Sequence, residues 1–272
     1  MPRPGARRPA SAPRLLALAL GAALTPQAFA QPAAEGATGI EEVTVTATRR
    51  AELLSKVPIS VSSIGDEEMQ QRGARQFDDL IRLTPGLNLT RQSATGASQI
   101  AIRGISSNAG SGTTGLYIDD TPIQVRNLGF GAGNAFPGLF DIERVEVIRG
   151  PQGALYGGGS MAGVYRIVTR KPDLVARSAQ IAVSYAETKG GAPSSDVEGV
   201  LNLPLVQGRA GLRLAAYHET QGGYIDDEQL RRTDVDRTLR RGGRLAFRLA
   251  PAEGWTLDVS AVTQHLHSSD AQ

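Results

Sequence analysis

From residue 178 onward the chain alternates apolar and polar side chains with period two, and that pattern admits only a sheet. Ile181, Val183 and Tyr185 alternate with Gln180, Ala182 and Ser184. Val197, Gly199, Leu201 and Leu203 alternate with Glu198, Val200 and Asn202. The same spacing holds for Leu212, Leu214 and Ala216, for Leu245, Phe247 and Leu249, and for Trp255, Leu257, Val259 and Ala261. Successive strand residues face opposite sides of a sheet, so each segment presents one apolar and one polar face. A soluble sandwich alternates too, but the connections distinguish the cases. Val206-Gln207-Gly208-Arg209 and Pro251-Ala252-Glu253-Gly254 are short turns, residues 188–195 form a medium loop and residues 221–240 a long polar one. Short turns at one end and long loops at the other are the habit of outer-membrane barrels, and Trp255, at a strand start, suits an aromatic girdle. Five strands of roughly the ~9–11 residues needed to cross a bilayer are expected.

The N-terminus supports export. Arg3, Arg7, Arg8 and Arg14 precede an apolar run over 15–24, and Ala28-Phe29-Ala30 supplies small residues ahead of Gln31. Residues 1–30 are expected to be a cleaved signal peptide, since ten apolar residues are too few for a helix spanning ~30 Å. No later run approaches ~18 apolar residues, so a membrane-embedded mature chain must be a β-barrel. The formal charge is +2, but removing the four signal arginines from 29 basic residues leaves 25 against 27 acidic ones. A nucleic-acid partner is therefore not indicated.

Residues 31–51 read as a disordered leader that holds one β-branched run, Val43-Thr44-Val45-Thr46, followed by Ala47. Such a run suits a strand added to another protein's sheet edge, or an ordinary first strand of the following domain. Residues 52–172 are a patchwork of short elements. Gly65 to Gly73 is expected to be a helix with Asp66 as N-cap and Gly73 as stop, and Phe77–Ile81 a second helix ending before Pro85. Ile100 and Ile102, and Val145 and Val147 about Glu146, read as half-buried strands. Tyr117-Ile118 runs into a turn at Asp119-Asp120. These elements make a small α+β domain.

Glu41-Glu42-Val43-Thr44-Val45-Thr46-Ala47-Thr48-Arg49-Arg50 resembles the TonB box of TonB-dependent receptors, and the signatures of their plug domain follow in family order. These are Leu80 to Asn88, Ile100-Ala101-Ile102-Arg103-Gly104-Ile105, Gly115 to Ile123, Asp141-Ile142-Glu143-Arg144-Val145-Glu146-Val147-Ile148-Arg149-Gly150-Pro151 on to Gly157, and Ile167-Val168-Thr169-Arg170-Lys171-Pro172. The resemblance covers about residues 41–172. One departure is Arg166, where the family often has Asn.

The resemblance implies a signal peptide (1–30), a leader with the TonB box (31–51, box about 42–48), a plug domain (52–172) and the first strands of a transmembrane antiparallel β-barrel (178–272). It implies a TonB-dependent receptor of the Gram-negative outer membrane that transports a scarce ligand, most often a ferric siderophore or another iron complex. Val43, Thr44, Val45, Thr46 and Ala47 would dock the TonB energy-transducing complex as an added strand. Outer-membrane lipid and the external ligand would be the other partners. Asn108, Asn127, Phe130, Asn134 and Phe136, in Gly-rich loops expected at the outer end of the plug, are the ligand-binding candidates. A plugged barrel has ~22 strands and the chain stops in a polar run, so it reads as a truncated or partial product. A truncated fragment that acts at most as a periplasmic plug-like binding module is the alternative, and an adhesin anchored by a barrel is another.

Enzyme chemistry finds no support. The chain has no Cys. Gly158-Gly159-Ser160-Met161-Ala162 has Ala where a nucleophile elbow needs Gly, and the glycines near 150–159 lack a Walker lysine. His265 and His267 share a strand face but are more often incidental than ligands. No catalytic residue, metal or cofactor is expected.

Overall fold

A computed structural model describes residues 43–74, 76–91, 98–106, 112–123 and 136–268. In chain order the first part runs β1 (Thr44–Val45), β2 (Glu52–Leu53), a 3-10 turn at Leu54–Lys56, β3 (Ser60–Gly65), α1 (Asp66–Gln71), α2 (Phe77–Leu83), β4 (Leu87–Arg91), β5 (Ser98–Ile102), β6 (Thr114–Ile118), β7 (Thr121–Pro122), β8 (Ile142–Arg149), α3 (Gly153–Tyr156) and β9 (Gly163–Thr169). Five strands form one mixed sheet in the order β3-β8-β9-β6-β7. β6 and β9 are parallel and the other pairs antiparallel. β1 pairs with β2 and β4 with β5 in separate antiparallel ladders.

Local sequence explains the helices. α1 opens on Asp66, Glu67 and Glu68, which suit the positive end of the helix dipole, and stops at Gly73, whose φ of +66° favours glycine. Gly65, not Asp66, is its N-cap. The Asp66 carboxylate accepts from Gln70 instead and pairs with Arg170, so it is drawn away from the helix amides. α2 begins with a capping box between Gln76 and Asp79 and ends ahead of Pro85.

The central strands are buried on both faces, which the expectation of half-buried strands did not anticipate. All seven positions of β9 are buried, and Glu146 on β8 has 0% exposure. On one side Met69, Phe77, Leu80 and Ile81 pack with Val145, Val147, Tyr165 and Ile167. On the other, Val45, Ala47 and Val57 pack with Tyr117, Ile148, Tyr156 and Val164. The segment 43–57 thus covers a sheet face that would otherwise be wet. Its first residues were expected to belong to a disordered leader. Val45 and Ala47 sit instead in the second core, because their small apolar side chains share one face of an extended segment.

The second part is a five-stranded antiparallel meander: β10 (Ser178–Ala186), β11 (Ser194–Val206), β12 (Ala210–Gln221), β13 (Thr238–Leu249) and β14 (Leu257–Ser268), paired in that order. The strands are longer than the alternation alone outlined, so the long connection narrows to 222–237. Trp255 precedes β14, in the turn, and is 76% exposed. Among the described residues β10 and β14 are the edges of this sheet.

Candidate functional site

Two constellations stand out, one at segment 43–57 and one where the first part of the chain meets the meander. At the first, Val43 and Thr44 are exposed while Val45 and Ala47 are fully buried. Thr46 lies between them over a charged pair. Its backbone N–H donates to Glu146 Oε1 at 2.8 Å, and its carbonyl accepts from Arg166 Nη1 at 2.9 Å. Glu146 and Arg166 are direct cross-strand partners on β8 and β9, on the face that the 43–57 segment covers.

The rest of Arg166 is also spoken for. Nε donates to the Asp119 carbonyl at 2.6 Å, Nη2 to Asp120 at 3.1 Å and Nη1 to Glu146 at 3.3 Å. Arg144 Nε reaches Glu146 Oε1 at 2.8 Å and its Nη2 reaches Thr46 Oγ1 at 3.1 Å. A buried carboxylate costs heavily unless charged donors surround it, and here two arginines and a backbone amide do so. Next to it, Tyr156 donates to the Ala47 carbonyl at 2.9 Å and Arg49 lies over its ring. Burial raises the Tyr156 phenol above its ordinary value, so it stays a donor at neutral pH. The Asp119-Asp120 turn is a hairpin corner with Asp119 at φ +51°, its carboxylate tied to Thr169 and Lys171.

The second constellation centres on Asp141, just before β8. Its carboxylate receives Arg213 of β12 in bidentate fashion, at 2.9 Å from Nε and 2.6 Å from Nη2, and pairs with Arg244 of β13. Arg244 also donates to the carbonyls of Asp141 at 3.0 Å and Arg170 at 3.2 Å. Nearby, Gln264 of β14 accepts from the Gly138 amide at 2.9 Å and donates to the Phe136 carbonyl at 3.2 Å. Tyr217 donates to the same Gln264 oxygen. These contacts show which face of the meander is turned toward the plug. A polar cleft between the two constellations is lined by Thr44, Thr46, Asp120, Arg144, Arg166 and Arg248.

Of the ligand-binding candidates, Asn108, Asn127, Phe130 and Asn134 lie outside the described residues. The ring of Phe136 stacks on Phe77, centroids 3.9 Å apart and nearly parallel, against the first core. Glu146, Arg144, Asp141, Arg213 and Arg244 were not singled out from the sequence. Arg166 was noticed, but only as a departure from a pattern. Among the described residues no three His, Asp or Glu side chains are placed to hold a metal.

A TonB-dependent Receptor Plug Domain model matches residues 54–164, the stretch that carries most of both cores together with Asp141, Arg144 and Glu146. The chain carries a TonB-dependent receptor plug domain. The iron-regulated outer membrane virulence protein of Vibrio cholerae is 29% identical over 260 residues, covering 93% of this chain and 38% of that protein. The pesticin receptor of Yersinia enterocolitica is 30% identical over 256 residues, covering 91% and 35%. Among solved structures, the ferric yersiniabactin uptake receptor FyuA of Yersinia pestis superposes with a TM-score of 0.65 at 26% identity, covering 76% of this chain and 32% of that one. The ferripyoverdine receptor of Pseudomonas aeruginosa, at 21% identity and a TM-score of 0.65, shares the fold. The chain therefore spans little more than a third of the curated relatives' length, and its fold is an α+β plug followed by antiparallel strands of the receptor barrel.

Proposed function

We propose that this chain is the N-terminal part of an outer-membrane active transporter for a ferric siderophore or similar iron complex, exported by a cleaved signal at residues 1–30 and energised through TonB. The observation that carries the reading is the seating of the plug. Asp141 is held by two arginines on the plug-facing side of a sheet whose opposite face is apolar, as a lumenal plug and a lipid-facing wall require. The iron-linked names of the relatives support the ligand class.

In this reading residues 43–47 pair with TonB as an added strand. The amide and carbonyl of Thr46 are held by Glu146 and Arg166, so docking requires those two bonds to be surrendered. The test is Val45→Pro in the full-length receptor. Proline removes a ladder donor and fixes φ, so uptake of the iron complex should be lost while ligand binding is retained. Retained binding shows that the plug survives the change in its second core. Unchanged uptake would overturn the assignment of the docking strand.

A further inference from the structure

Two histidines and an arginine that neither constellation uses fall together on the far side of the meander. Register places His218 opposite Arg241, and Arg241 opposite His265. β12, β13 and β14 thus carry one cross-strand row of basic side chains, with neighbouring Cβ atoms roughly 5 Å apart. Parity fixes the face. Arg213, Tyr217, Arg244 and Gln264 are turned to the plug side, and residues an odd number of positions away point outward. His218, Arg241 and His265 are all exposed there. Arg241 has no hydrogen-bond or ion-pair partner among the described residues. The adjoining rows on this face, Ile181 to Thr263 on one side and Tyr185 to His267 on the other, contain no carboxylate.

The row's height is as informative as its charge. It lies eight residues from the row of Ala210, Leu249 and Leu257 at the short-turn end. That is about 27 Å along the strand, or about 20 Å of height at barrel tilt, close to the ~25 Å apolar band of such barrels. Every outward position between is apolar or small except Thr263: Leu212, Leu214 and Ala216, then Phe247, Leu245 and Gly243, then Val259 and Ala261. The basic row therefore closes the apolar band at the long-loop end, which in these barrels is external. There an outward arginine meets headgroups rather than hydrocarbon.

We propose that His218, Arg241 and His265 bind the phosphate of an outer-leaflet lipid headgroup; this rests on the outer-membrane reading above. The Arg241 fork matches two phosphate oxygens, and an imidazole on each side adds a donor. A metal site is disfavoured by the same geometry, since an arginine sits between the two imidazoles.

The experiment uses the full-length receptor in zwitterionic detergent micelles doped with either phosphatidic acid or phosphatidylcholine carrying brominated acyl chains. Native mass spectrometry counts retained lipid, and quenching of Trp255, taken as the difference from a Trp255→Phe variant, reports whether the sheet meets hydrocarbon. Phosphatidic acid should be retained in preference to phosphatidylcholine. Arg241→Gln should lower its apparent affinity about tenfold, the loss of one hydrogen bond to a charged group, and Arg241→Lys should restore part of it. Trp255 quenching should be the same in all three proteins. Equal retention by Arg241→Gln, or displacement by equimolar inorganic phosphate, would overturn the headgroup site while leaving the barrel reading intact. Absence of quenching would remove the barrel reading and the site with it.

Discussion

The pair of Glu146 and Arg166 concentrates what single residues decide in this chain. Glu146 is fully buried and shares Thr46 with Arg166. Removing one member of a buried pair strands the other, but Arg144 still serves Glu146. Arg166→Asn is therefore expected to cost about 1.5–3 kcal/mol, the range for hydrogen bonds to a charged group, and to act locally. Hydrogen exchange of the amides at 43–50 should speed up at least about tenfold, while those of β8 stay protected; unchanged exchange at Thr46 would show that Arg166 does not hold the segment. The sequence revealed Arg166 as unusual but not its role, because the carbonyl it grips lies 120 residues away. Gly163 is the opposite case, since nothing in its neighbours' chemistry marks it. It has φ +148°, and an added Cβ would lie 2.2 Å from the Ile148 carbonyl oxygen. Gly163→Ala should destabilise the plug by roughly 3 kcal/mol, measured as a fall in the urea midpoint at unchanged slope.

At the scale of elements, legibility followed periodicity. The five long strands were readable because each has one face toward apolar surroundings and one toward polar ones, and that produces clean alternation. α2 was readable from Phe77, Leu80 and Pro85. β8 was read as half-buried because Glu146 interrupts Val145 and Val147, and a charged residue usually marks the wet face. Only the tertiary arrangement, with segment 43–57 laid across that face, brings in the arginines that make burial affordable. Asp141 was invisible for a related reason, since its partners Arg213 and Arg244 lie on β12 and β13 and read as ordinary polar-face residues. Asp141→Ala leaves both arginines buried against the plug without their carboxylate, at a cost of about 3–5 kcal/mol. The expected result is faster exchange over 136–142 and at Arg213 and Arg244, with α1 and α2 unaffected. The junction after β9 carries a pH dependence. Backbone N–H groups of Val175 and Ala176 donate to Asp173 at 2.7 and 3.1 Å and lower its pKa from 3.8. A carboxylate with a depressed native pKa stabilises its turn above the unfolded value and loses that contribution as pH falls through the native one. The Val175 and Ala176 amide resonances should titrate below 3.8, and Asp173→Asn should abolish that titration.

For the whole molecule, the two parts differ in what they need from their surroundings. The plug closes on itself: its sheet is covered on one side by α1 and α2 and on the other by segment 43–57. Among the described residues the meander does not close: β10 and β14 each have one ladder edge without a strand partner, and the outward face exposes Ile181, Val183, Val197, Leu214, Leu245, Leu257 and Val259. In hydrocarbon each unpaired backbone group costs several kcal/mol, and an edge of a dozen residues presents enough of them to exceed the ~5–15 kcal/mol that holds a domain together. In water the same face is an aggregation hazard. The ion pairs of Asp141 tie β12 and β13 to the plug, but they do not cover β10 or β14. Residues 1–272 alone, in detergent-free buffer, should therefore yield on limited proteolysis a protected plug core ending near 172, with cleavage first in the loop 222–237 and then at the edge strands. Mass spectrometry of the fragments decides the matter. Protection of 178–266 equal to that of the plug, in a chain shown to be monomeric, would mean that the meander is stable without further strands and that its apolar face is not built for lipid.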